Sequence, residues 1–99
     1  RPPIPRWGQL AGLYERLLYL SNRAGLDMMR SGDMLGALEA LQVGEAEADG
    51  AEFPSDDPRF RTVWDLVALT HVHLAEYYRR RRLLREAAAH LRKALLAEG

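Results

Sequence analysis

Three histidines, a run of four arginines and a complete absence of cysteine define what chemistry this chain could do. His71 and His73 stand two residues apart. On a helix that spacing turns them about 200° from each other, so they cannot ligate one metal ion there. His71 falls in register with apolar neighbours and reads as a packed core histidine between the first and third helices. His73 falls off that register and reads as exposed. Glu86 and His90 lie one helical turn apart and read as a surface pair. No nucleophile has a recognisable base and orienting group, and neither a glycine-rich phosphate loop nor a zinc-ligand spacing is present. These residues predict no catalytic constellation, no metal site and no cofactor, hence a non-enzymatic protein.

Arg79 to Arg82 form the most conspicuous charged stretch. Four consecutive arginines on a helix point in all directions and give no single phosphate-tracking face, so no nucleic-acid partner is expected. The helix dipole favours cations at a C-terminal end. The run therefore reads as a solvated helix terminus with partners in the acidic part of the chain. Residues 1–57 carry five arginines against ten carboxylates, and residues 58–99 carry nine arginines and lysines against four. The two parts are expected to attract each other across a packing interface. Met28, Met29 and Met34 read as core filling, Met28 above all, rather than as an adaptable binding surface.

The elements that must position these residues are helical. Ninety-nine residues suit one small domain, and 47% apolar with 28% charged residues suits a globular chain rather than a disordered one. The lack of cysteine fits an intracellular, cytoplasmic setting. No apolar run reaches the roughly 20 residues of a membrane span, and no signal peptide is visible. The chain begins at Arg1 rather than Met, so processing or excision from a longer protein is expected.

Residues 1–6 carry three prolines and read as an extended lead-in. A single helical domain is expected over 7–99, with one hairpin over 7–49, a loop over 50–57 and a second hairpin over 58–99. The first helix should run from Trp7 or Gly8 to Ser31, with Leu10, Leu13, Leu17, Leu20, Ala24 and Met28 as its core stripe. Gly32 stops it and Asp33 caps the next. The second helix, Met34 to Ala48, buries Met34, Ala37, Leu38 and Leu41. Its Gly44 implies a packing constraint, and its acidic end should fray. Phe53 can tuck back from the loop. Asp57-Pro58 starts a third helix, with Phe60, Val63, Val67, His71, Leu74 and Tyr78 inward and Trp64 beside them. A fourth helix, ending near Gly99, buries Leu84, Ala87, Leu91 and Ala94, and small Ala87, Ala88 and Ala94 let the last two helices approach closely. No period-two alternation is long enough for a strand. The predicted fold is all-α, four helices in two antiparallel hairpins.

Particular columns of these hairpins resemble tetratricopeptide repeats. Ala24-Gly25, the turn Gly32-Asp33, Ala37 and Leu41 match in the first; Leu74-Ala75, Tyr78, Ala87, Leu91 and Ala94 match in the second. The likeness covers roughly residues 18–50 and 68–99. Ala37 and Ala87 are 50 residues apart, where the family's period is about 34. Arg82 stands where a turn glycine is usual, and Ser21 and His71 occupy a column of large aromatics. The stretch Tyr14 to Asp33 is also similar to the first helix of flagellar export chaperones.

The resemblance implies a right-handed helical repeat with long first helices and a protein-interaction function. In such repeats the first helix of each pair lines a concave face. Carried over, that face comprises Tyr19, Asn22, Leu26, Met29 and Arg30, with Leu69, Val72, Glu76, Arg79 and Arg80. Its apolar middle and grouped arginines imply an internal acidic-hydrophobic segment of a partner protein. A free C-terminus fits less well, because Asn22 and Leu26 occupy the columns that would clamp it. Two repeats leave apolar faces uncovered, so a homodimer or further repeats of a longer chain are expected. The alternative function is a small secretion or assembly chaperone, or a self-associating scaffold subunit.

Overall fold

The computed structural model describes residues 6–98, so the proline-rich lead-in lies mostly outside the described residues. Four α-helices follow one another: α1 Trp7–Ser31, α2 Met34–Gly50, α3 Arg61–Arg80 and α4 Leu84–Glu98, with a 3-10 turn over Pro58–Phe60 leading into α3. No strand occurs among the described residues.

The boundaries follow local chemistry. Gly32 adopts the left-handed conformation at φ 87°, and the Asp33 carboxylate accepts the N–H of Gly36 at 2.9 Å. The Asp57 carboxylate accepts the N–H of Arg59 at 2.9 Å, with Pro58 at the first helical position. At the second interhelical turn Arg82 takes a φ of 61°. A non-glycine residue there costs on the order of 1 kcal/mol, which the docking of α4 on α3 must offset. Contrary to the fraying expected from its acidic end, α2 stays helical through Gly50. Ala48 is the reason: it packs against the core of Ala11, Leu18, Phe60, Val63 and Val67.

Side-chain pairings give the topology. Ser21 donates to the Ala40 carbonyl at 2.5 Å, and a Cβ built on Gly25 would collide with Leu41. A Cβ on Gly44 would lie 2.6 Å from Ser21 Oγ, so the glycine marks the point where the backbones of α1 and α2 come closest. These contacts make α1 and α2 antiparallel. Asn22 meets Thr70, and Met29 packs with Leu74 and Tyr77, so α1 and α3 run parallel. His71 meets His90, making α3 and α4 antiparallel. The chain is thus two helical hairpins side by side, with α3 seated in the groove between α1 and α2.

Two apolar centres hold this arrangement. One gathers Ala11, Leu18, Phe60, Val63 and Val67 under Trp7, Tyr14, Phe53 and Trp64. Phe53 tucks back from the loop, with its ring centroid 5.7 Å from both Phe60 and Trp64 and 4.7 Å from Tyr14. The other gathers Met29, Ala37, Leu41, Leu74 and Tyr77, with Met28, Met34, Leu38 and Tyr78 at its edge.

Two expected stripes are rotated. On α1, Leu13 and Leu20 are exposed, while Ala11, Leu18, Ser21, Asn22, Gly25 and Met29 are buried. This helix packs against two neighbours, so its buried face is wide and centred one position beyond the leucine stripe. On α4, Leu84 and Leu91 are exposed and His90 replaces them in the core beside Ala87 and Ala94; Ala88 is exposed. The charge halves are not paired across the hairpins as expected. Glu76 holds both Arg79 and Arg80 at 2.7 Å within α3, and Arg23 pairs with Asp27 within α1. Among the described residues, only Lys93, 4.0 Å from Glu45, ties a permanent cation of one hairpin to a carboxylate of the other.

Candidate functional site

Leucines outnumber the positions that α4 can bury. Leu91 and Leu95 point away from the hairpin core, and on α3 Leu69 and Val72 do the same. With Ala68 and Ala94 as its floor, this group forms an open groove of about 490 Å³. Its middle is apolar. Asp65 and Glu98 close one end, beside a cleft of about 520 Å³ that also exposes Asp56, Asp57 and Arg61. At the other end of α3 stand Glu76, Arg79 and Arg80. Their two ion pairs hold the Glu76 carboxyl at about 2, well below the usual carboxylate range. The result is an exposed apolar patch flanked by charged side chains at both ends.

The fifty-residue offset that relates Ala37 to Ala87 relates Leu41 to Leu91 and Asn22 to Val72. Leu41 is fully buried and Asn22 is 3% exposed, because α3 covers the groove between α1 and α2. Their counterparts Leu91 and Val72 are 48% and 42% exposed. The α3–α4 groove is the uncovered equivalent of a seat that a helix fills in the first hairpin.

The residues expected to line one face of the first and third helices are distributed differently. Asn22 and Met29, each 3% exposed, are inaccessible and correct that expectation. Asn22 Nδ2 donates to Thr70 Oγ1 and to the Leu18 carbonyl, both at 2.9 Å, and Nδ1–H of His73 donates to Asn22 Oδ1 at 2.8 Å. Its amide is consumed in joining α1 to α3. The same bond half-buries His73, which had read as exposed. Met29 fills the second apolar centre. Tyr19 and Arg30 are exposed on α1, with Leu26 half-buried. Leu69 and Val72 are exposed on α3 but belong to the α3–α4 groove. The sequence reading puts Leu91 in the core stripe of α4 and does not single out Leu95; both are exposed.

A second constellation lies beneath the opposite side of α3. Nδ1 of His71 is 2.9 Å from Nδ1 of His90, and Glu45 Oε2 is 3.9 and 3.6 Å from them respectively. The imidazoles stack with centroids 5.2 Å apart, and the Tyr78 ring stacks on His90 at 5.3 Å. His71 therefore sits among α2, α3 and α4, not between the first and third helices, and His90 is a core residue rather than the surface partner of Glu86. Burial lowers the proton affinity of all three histidines; for His71 the neighbouring His90 and Lys93 add to it, and its value falls to about 4. Glu45, His71 and His90 are the group of side chains placed to share one metal ion among the described residues.

No family model, curated protein or solved structure matches the chain. Among the described residues no helix is long and apolar enough to cross a membrane.

Proposed function

We propose that this chain is a non-enzymatic interaction module of the tetratricopeptide type that receives an amphipathic helix of a partner protein in the groove between α3 and α4. The observation that carries this reading is the equivalence of that groove with the seat of α3 on the first hairpin. A helix docked like α3 would cover Leu69, Val72, Leu91 and Leu95 with a stripe of apolar residues spaced three and four apart. Electrostatic complementarity asks for basic residues on that helix near Asp65 and Glu98 and acidic ones near Arg79 and Arg80. The groove replaces the face of α1 and α3 as the contact surface, because two residues of that face are buried.

Helical peptides selected from a displayed library on the immobilised chain test this. Those that bind should carry an apolar stripe, and Leu69→Asp with Leu91→Asp should weaken them at least tenfold, about 1.4 kcal/mol. Both leucines are exposed, so the melting temperature should stay within a few degrees. Unchanged affinity in the double variant would remove the groove from the account.

A second reading rests on a second apolar surface. The outer side of the first hairpin exposes Leu20 and Val43 around a shallow groove shared with Leu17 and Ala40. One copy could present that side to the α3–α4 groove of the next, a heterologous contact that builds short stacks. Sedimentation velocity should then show mass rising with concentration, and Leu20→Asp should return the chain to monomer. A monomer at every concentration excludes this reading and leaves the first untouched.

A further inference from the structure

We propose that Glu45, His71 and His90 form a binding site for a first-row divalent metal ion, Zn²⁺ fitting best. The three donor atoms, 2.9, 3.6 and 3.9 Å apart, all lie about 2.0 Å from one central point, the length of Zn–N and Zn–O bonds. Two buried imidazole nitrogens this close have two ways to be satisfied. One keeps a proton and donates it to the other, or both direct lone pairs at a shared cation. The first leaves the Glu45 carboxylate outside the hydrogen bond, since it accepts none from either ring and meets only Lys93, at 4.0 Å. The second uses all three donors and leaves the ion with one positive charge uncompensated.

Two imidazoles with one carboxylate suit Zn²⁺, Co²⁺ or Ni²⁺, whereas Mg²⁺ and Ca²⁺ take oxygen donors. The donors come from α2, α3 and α4, so no local spacing betrays the site in the sequence. The Glu45 side chain is 20% exposed, which gives the ion a path from solvent and leaves its fourth position to water. Lys93, half exposed, swings away from Glu45 as the ion enters. Bound metal ties α2 to α4, two helices that do not otherwise pack on each other. The site therefore fastens the second hairpin to the first.

The untagged chain, stripped with a chelator and titrated with ZnCl₂ alone in a calorimeter, tests the assignment. One ion should bind per chain, and the melting temperature should rise by about 10 °C at a hundredfold excess over the Kd. Co²⁺ should give the visible absorption bands of a four-coordinate nitrogen–oxygen site. His90→Gln and Glu45→Gln should each weaken Zn²⁺ binding at least tenfold. Glu45 is the least buried of the three, so Glu45→Gln carries the test if the histidine variant fails to fold. No saturable binding up to about 1 mM Zn²⁺, or equal binding by wild type and Glu45→Gln, overturns the proposal.

Discussion

Phe60→Ala is expected to destabilise the chain by about 3–5 kcal/mol. Phe60 is fully buried in the turn that feeds α3, and it touches three parts of the fold at once. Its ring meets Trp7 edge-on at 5.8 Å and Phe53 at 5.7 Å, and it packs with Leu18 and Val63. Truncation opens a cavity lined by rigid aromatic rings, which close poorly around lost volume. A chain of this size has about 5–15 kcal/mol of stability in all. Urea unfolding followed by circular dichroism should show a midpoint collapse, with the slope unchanged. A loss below about 1 kcal/mol would mean that the aromatic cluster is not the anchor of the first hairpin on the second.

Acidification should weaken the metal-free fold well before its carboxylates titrate. His71 is neutral in the folded chain down to a pH of about 4, whereas an unfolded histidine protonates near 6.5. Below 6.5 the unfolded state therefore takes up protons that the folded state refuses. The stabilising difference is fully present above that pH and is lost as the pH falls towards 4. His71 alone accounts for about 2 kcal/mol by pH 5, and the lowered values of His73 and His90 act in the same direction. Glu45 and Asp49, facing the pair from α2, oppose the shift, and Lys93 on α4 reinforces it. In the presence of chelator, the melting temperature should be level from pH 8 to 7 and fall by about 10 °C by pH 5. A flat profile across that range would place the histidines in water.

The helices were legible because their ends are written locally. Gly32-Asp33 and Asp57-Pro58 stop and start helices through backbone conformation and a single carboxylate, with no help from distant residues. Helix phase was legible from the 3-10 turn into α3, where Phe60, Val63, Val67, His71 and Leu74 are buried as their spacing predicts. It slipped on α1, where α2 and α3 share the burial and polar Asn22 displaces leucine from the interior. Asn22 is tolerable there because Thr70 and His73, about fifty positions away, join the local Leu18 carbonyl in satisfying its amide; nothing near Asn22 announces those two. The same holds for the buried cluster. His71 and His90 are 19 residues apart, Glu45 lies on another hairpin, and only the fold brings them together. The groove was half legible. Leu69 and Val72 were placed at a surface, but their partners Leu91 and Leu95 emerge only once α4 is docked.

Hydrogen exchange of the chain, alone and saturated with a selected helical peptide, tests the groove most directly. The account predicts new protection along α3 around Leu69 and Val72 and along α4 around Leu91 and Leu95, with α1 unchanged. Protection confined to α1 around Tyr19, Leu26 and Arg30, with α4 exchanging as in the free chain, would contradict it.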